Sequence, residues 1–121
     1  MLAVVALWAT LHGPAAPCQM PVVHTPAQVR RVIACAVARW PVPGGVRKAV
    51  AVAECESSLR PHAEFKGHLG IYQHAERYWA ARWLRWGRPW GLPRNPYNAH
   101  TNILVSIQMV HEGGWAAWSC A

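Results

Sequence analysis

Apolar residues recur with helical spacing early in the chain. Val29, Val32, Ile33, Ala36, Val37 and Trp40 fall at i, i+3, i+4, i+7, i+8 and i+11, which is one stripe of a 3.6-residue helix. Thr25-Pro26 ahead of them reads as an N-cap followed by proline at the first helical position, and Pro41 ends the run. After the Pro43-Gly44-Gly45 turn, Val46 to about Leu59 is apolar on most sides, the pattern of a helix at the centre of a fold. Arg60 to Gly67 reads as loop. Leu69 to Gln73 places Gly70 between apolar residues, as in a tight turn or small hairpin. A third helix is expected from His74 to Trp86, with Trp79, Trp83 and Trp86 at i, i+4 and i+7. Breakers fill Gly87 to Pro96. A fourth helix, capped by Asn98 or by Asn95 ahead of Pro96, runs to about Glu112 and is packed by Ile103, Ile107 and Val110. The pattern predicts a mainly α domain of about four core helices, with a short loop or hairpin carrying Gly70–Gln73.

Composition narrows this picture. A chain of 121 residues has room for one core, and a 53% hydrophobic share excludes disorder. Leu2 to Leu11 has the length of a signal-peptide apolar region, and Gly13 and Ala15 permit cleavage, although no Lys or Arg precedes it. Residues 1–16 are therefore expected to be a signal peptide or N-terminal anchor, and 17–121 the domain. No apolar run is long enough to leave a mature protein spanning a membrane. The four cysteines, Cys18, Cys35, Cys55 and Cys120, are widely spaced and form no CxxC pair. Disulfides fit better than zinc, and they imply an oxidising, extracytoplasmic compartment. Three pairings are open, with buried free thiols as the alternative.

The formal net charge is +7, carried mostly by arginine. Such a charge favours polyanions, but the arginines are scattered, which argues against a nucleic-acid-binding arm. Coding bias towards Ala, Arg, Gly and Pro accounts for much of it. The acidic side is sharper: Glu54, Glu56, Glu64, Glu76 and Glu112 are all there is, with no aspartate. This excludes Asp-based triads, aspartic dyads, EF-hands and Asp-dependent Mg²⁺ sites. Glu54 and Glu56 stand at the C-terminal end of an apolar helix, where the dipole disfavours anions and burial raises a carboxyl pKa. Two residues apart, they project about 200° from each other and cannot share a cleft. Glu54 reads as a partner for an arginine or as solvated. His62, His68 and His74 recur at intervals of six without a Cys or carboxylate at ligand spacing, so no metal or other cofactor is expected.

The window Glu56 to Gln73 resembles the lysozyme-like, soluble lytic transglycosylase superfamily. It carries Glu56-Ser57 at a helix end, then Pro61-x-Ala63, then Gly70-Ile71-Tyr72-Gln73. Asn95-Pro96-Tyr97-Asn98-Ala99 is similar to the stretch that opens the next core helix in that family. Gly114-Trp115 through Cys120 resembles the ending of small secreted members from actinobacteria and their phages. The resemblance covers roughly Ala49 to Cys120. It implies a lysozyme-like fold and a lytic transglycosylase that cuts the β-1,4 bond between N-acetylmuramic acid and N-acetylglucosamine in peptidoglycan. Glu56 would be the general acid and then the base that directs the sugar's own 6-hydroxyl to a 1,6-anhydro product. Gln73 would line the groove and bind substrate. Tyr72 stands where the pattern more often has Met, so its hydroxyl either enters the groove or points inward. Ser57 would support Glu56, and Asn98 and Asn102 are weaker groove candidates. The family's Ala-Tyr-Asn-Ala-Gly box is absent, with Tyr97-Asn98-Ala99 an imperfect echo. The resemblance also implies a Cys55–Cys120 disulfide, which leaves Cys18–Cys35.

Elementary chemistry agrees with that role for Glu56. A carboxylic acid protonates a poor leaving oxygen near neutral pH only if its pKa is raised. The anhydro route needs one carboxylate, whereas a hydrolase needs a second, for which Glu54, Glu64 and Glu76 are the candidates. The missing aspartate tilts the reading towards a lytic transglycosylase. The alternatives are a muramidase-type glycosidase at the same site, a catalytically inactive wall-binding module, and a basic nucleic-acid binder. A secreted monomer acting on glycan strands is the expected setting.

Overall fold

A computed structural model describes residues 15–121; the stretch Leu2–Leu11, read above as an export signal, lies outside the described residues. Four helices carry the domain: α1 (Pro26–Arg39), α2 (Gly45–Ser57), α3 (Glu76–Trp86) and α4 (Ala99–Gly113). Three two-residue strands, β1 (Glu64–Phe65), β2 (His68–Leu69) and β3 (His74–Ala75), lie between α2 and α3, and a 3₁₀ turn spans Arg88–Trp90. The domain is mainly α with four helices, as the periodicity predicts.

The first helix begins where its sequence places it. Thr25 accepts a hydrogen bond from the Gln28 amide, and the Gln28 side chain returns one to the Thr25 amide, a reciprocal cap that satisfies two otherwise orphaned donors. Its stripe of Val29, Val32, Ile33, Ala36 and Val37 is buried against α2 and α4.

The expectation that the second helix would be central is overturned. In α2 only Ala49, Val52, Ala53 and Ser57 are buried, and Val46 is 39% exposed. Small Ala and Val side chains leave little apolar area at a surface, and Ala is there for helix propensity. The central helix is α4. It buries every residue from Thr101 to Gln108, and Ile103, Leu104 and Ile107 are fully enclosed. Buried Thr101, Asn102 and Ser106 disguise that centrality in the sequence. Asn98 caps it by accepting from the Thr101 amide at 3.0 Å.

The strands form one antiparallel sheet in the order β1-β2-β3, with Phe65 opposite His68 and Leu69 opposite His74. Lys66 and Gly67, at φ 51° and 78°, make the two-residue hairpin turn, which requires both residues in the left-handed region. Two expectations shift here. The segment read as loop contains β1, and the third helix begins at Glu76 because His74 and Ala75 pair as a strand. Two-residue strands are too short for alternation to register.

The C-terminal tail docks on the body. Trp118 is buried and donates its indole N–H to the Tyr72 carbonyl at 2.8 Å, and Trp115 donates to the Pro43 carbonyl at 2.8 Å. Disulfides join Cys55 to Cys120 and Cys18 to Cys35. On α3, Trp79 is buried and Trp83 and Trp86 are half-buried. Among the described residues no helix is long and apolar enough to cross a membrane.

Candidate functional site

The exit from α2 is abrupt. Ser58 and Leu59 both adopt left-handed backbone, at φ 56° and 59°, and the Leu59 side chain is anchored in the core. The chain therefore turns away directly after Glu56-Ser57, leaving Glu56 half-buried at a rim. A cleft of about 610 Å³ opens on one side, bounded by Arg60, His62 and Glu64. Another of about 450 Å³ opens on the other, bounded by Lys66, His68 and the tail residues Ala117–Ser119. Glu56, Phe65 and Gln73 border both, so they form the saddle of a single groove. Ser58, Leu59, Lys66 and Gln73 are four of the five non-glycine residues with positive φ among the described residues, and all lie at this groove or next to it. Each such residue costs about 1–2 kcal/mol of backbone strain, held in place by the surrounding packing.

Burial pushes the Glu56 carboxyl above its usual range, and the nearby His68 imidazole opposes this with a smaller downward pull. The other glutamates are placed differently. Glu54, on the opposite side of the same helix end, pairs with Arg30 at 3.1 Å. Glu64 borders the Glu56 cleft, but one oxygen accepts the Gly67 amide at 2.9 Å and holds the hairpin turn. Glu76 sits in the first turn of α3, where the helix dipole favours an anion. Glu112 meets Arg85 at 3.5 Å and the Trp86 indole N–H.

Gln73 is held in left-handed backbone, and its amide nitrogen donates to the carbonyls of Ala63 at 3.1 Å and Gly70 at 2.9 Å. With both amide hydrogens taken up, the group it offers the groove is its carbonyl oxygen. Gly70 is required by sterics. Its φ is 78°, and a Cβ there would come within 2.3 Å of both the Asn102 amide nitrogen and the Pro96 carbonyl oxygen.

The remaining predicted site residues work behind the groove. Asn102 is fully buried; it accepts from the Tyr72 amide at 2.9 Å and donates to the carbonyls of Leu69 and Pro96 at 3.2 and 2.9 Å. Tyr72 is 0% exposed and points inward, its hydroxyl donating to the Ala49 carbonyl at 2.8 Å, and burial raises its pKa. Neither reaches the groove surface: Asn102 lies in the buried stretch of α4, and Trp115 and Trp118 of the tail pack against the Tyr72 ring. Ser57 borders the cleft, but its hydroxyl donates to the Ala53 carbonyl at 3.1 Å, so it does not brace the Glu56 carboxylate. Asn98 caps α4 and stands at a different concavity.

Periodicity and motif reasoning do not single out two contributors, Phe65 and His68. Phe65, 66% exposed, is the chain's one phenylalanine, and an aromatic set among polar residues was the available signal. His68 had none, since only the fold brings it beside Glu56, whereas the tail wall follows from the Cys55–Cys120 bond that the resemblance implies. The three spaced histidines diverge. His62 stacks on Tyr97, with ring centroids 6.1 Å apart. His68 contacts the Phe65 carbonyl at 3.3 Å. His74 is fully buried between Ser106 at 2.6 Å and Arg82 at 3.0 Å. Because the Arg82 guanidinium only donates, His74 Nδ1 accepts and its Nε2–H donates to Ser106, which donates to the Asn102 carbonyl at 2.6 Å. Among the described residues no three His, Cys or carboxylate side chains converge as a metal site would require.

Comparison of the chain with protein-family models, with curated proteins and with solved structures gave no match in any of the three. The functional reading therefore stands on the groove's own chemistry.

Proposed function

We propose that the protein is a secreted, monomeric enzyme that cuts peptidoglycan glycan strands as a lytic transglycosylase. The observation that carries this reading is the placement of Glu56 at the saddle of the groove, with its protonated form favoured by burial. Glu56 donates its proton to the glycosidic oxygen between N-acetylmuramic acid and N-acetylglucosamine, and the C1–O bond breaks with oxocarbenium character at C1. The resulting carboxylate removes the proton from the muramic 6-hydroxyl. That oxygen bonds to C1, closing the 1,6-anhydro ring and returning Glu56 to its acid form. No water is consumed. The Gln73 carbonyl oxygen accepts from a sugar hydroxyl or acetamido N–H, and Phe65 offers a flat apolar face to a sugar ring.

A hydrolytic outcome at the same site has one observation in its favour, the presence of Glu64 on the same cleft. Its engagement with the Gly67 amide makes it the weaker reading. Digestion of purified sacculi by wild type and Glu56→Gln, read by mass spectrometry, tests both. The expected wild-type products end in anhydro sugars, lighter by one water than reducing ends, and Glu56→Gln lowers their yield about 10³-fold. Reducing ends would establish the hydrolase. Full activity in Glu56→Gln would overturn the assignment of Glu56.

A further inference from the structure

The outer side of α3 has no part in the chemistry above. Its inner side is committed to the body: Trp79 is buried, and Trp83 donates its indole N–H to the Leu92 carbonyl at 2.9 Å. At about 100° per residue, Arg77, Tyr78, Ala81, Leu84 and Arg85 fall within an arc of about 120° on the other side, and all of them are exposed. Gly87 keeps right-handed backbone after α3, so exposed Arg88 follows one turn beyond Leu84. Glu76, the remaining exposed residue of α3, stands in the first turn and outside that arc.

The arc joins apolar bulk to charge of one sign. Tyr78 is 47% and Leu84 50% exposed, two of the five large apolar side chains that stand out among the described residues. The ion pairs among the described residues are Arg30–Glu54 and Arg85–Glu112. Arg77 and Arg88 therefore have no carboxylate within pairing distance there, and Arg85 meets Glu112 only at 3.5 Å between exposed groups. The guanidinium groups rest on rings, Arg77 over Tyr78 at 4.7 Å and Arg85 over Trp86 at 4.6 Å. A weakly hydrated guanidinium on an aromatic face keeps its charge while giving up water at little cost.

These features select one partner. A polyanion in solution would engage the arginines and leave Tyr78 and Leu84 in water. A bilayer surface takes both, because anionic head groups meet the arginines while the leucine and tyrosine sink to the acyl boundary. The helix has 11 residues, about 16 Å, which is too short to cross a membrane and suited to lying along one. The formal net charge of +7 adds attraction of the same sign.

We propose that this face of α3 is a docking surface for an anionic lipid bilayer, with the helix lying in the plane of the head groups. Docking is independent of the chemistry at Glu56.

The test is co-sedimentation of the full chain with vesicles of phosphatidylglycerol and phosphatidylcholine, against vesicles of phosphatidylcholine alone. Binding is expected to the first only, and to weaken as salt rises. Arg77→Gln with Arg88→Gln should weaken it about thirtyfold. Removing the same charge elsewhere, by Arg31→Gln with Arg47→Gln, should weaken it less than about threefold. Tyr78→Ser with Leu84→Ser should weaken it about tenfold without changing the net charge. Glu56→Gln should sediment as the wild type does, and the Arg77 and Arg88 variant should cleave lipid-free sacculi at the wild-type rate. Hydrogen exchange of the wild type on the same vesicles needs no substitution and should slow at residues 77–88. Equal losses in the two arginine pairs would show diffuse attraction and overturn the assigned face. Binding unaffected by the two serine replacements would show a polyanion contact and overturn the bilayer as partner. Absence of binding, or slowed exchange elsewhere only, would overturn the docking surface outright.

Discussion

Polar groups beneath the Gly70–Gln73 loop and those above it meet opposite fates. Beneath it, Asn102 uses its whole side-chain amide, Tyr72 donates to Ala49, and His74 sits in a chain from Arg82 through Ser106 to the Asn102 carbonyl. No buried side-chain nitrogen or oxygen among the described residues lacks a partner. Above it, Glu56 keeps a carboxyl whose ionised form its surroundings disfavour, and Gln73 keeps an unengaged carbonyl oxygen. One short loop thus separates a layer that supplies rigidity from a layer that supplies reactivity. The first layer is what allows left-handed residues such as Gln73 to persist at the second.

Substitutions in the two layers should separate stability from activity. The largest effect belongs to Glu56→Gln, which should lower cleavage of sacculi about 10³-fold while raising Tm at pH 7. The sign follows from proton binding. The unfolded carboxyl ionises near its ordinary value of 4.5, while the folded one holds its proton to higher pH. Folding stability is therefore lost as pH rises through that window, and glutamine removes the loss. The Tm gain should vanish below about pH 4.5, which paired melting curves would reveal.

Next is Asn102→Ala, which strands the Tyr72 amide and two carbonyls and should cost about 3 kcal/mol in urea unfolding. His74 should show in the acid limb. Burial first, and Arg82 second, hold its pKa down to about 3 against an ordinary 6.5. The unfolded chain then binds more protons between those values, and stability falls as pH drops below about 6.5. His74→Gln should flatten that limb, and an unchanged slope would break the contrast between the layers. Gln73→Ala should lower kcat/KM about tenfold with about 1 kcal/mol of destabilisation. Smallest is Glu54→Gln, which removes an exposed ion pair with Arg30. It should leave activity unchanged and alter stability by less than about 1 kcal/mol.

The legible parts of the chain were those set by local physics. The α1 stripe, the Thr25 and Asn98 caps and the glycine at position 70 all announce themselves within a few residues. Glu56 was visible as a carboxylate set against the dipole of an apolar helix. The functional division inside the Gly70–Gln73 motif was not visible, because Tyr72 and Gln73 are adjacent and differ only in which side of the loop α4 and the tail cover. Nor was the rank of the helices, since Ala and Val suit a surface helix and a core helix alike, while Asn102 and Ser106 made the central helix look less buried. His68 reaches Glu56 only through closure of the hairpin, whereas the tail wall was legible through the Cys55–Cys120 pairing that the resemblance implies.

The two disulfides also set the mechanical path through the molecule. Tension entering at Cys18 crosses to Cys35, follows the backbone through the end of α1 and most of α2 to Cys55, and crosses to Cys120. Residues 19–34 and 56–119 hang from that line as two slack covalent loops. Glu56, the hairpin and the Gly70–Gln73 loop all belong to the second of those loops. A pull on the chain from outside Cys18 and Cys120 would stretch the 36–54 segment and leave the groove's covalent frame unloaded.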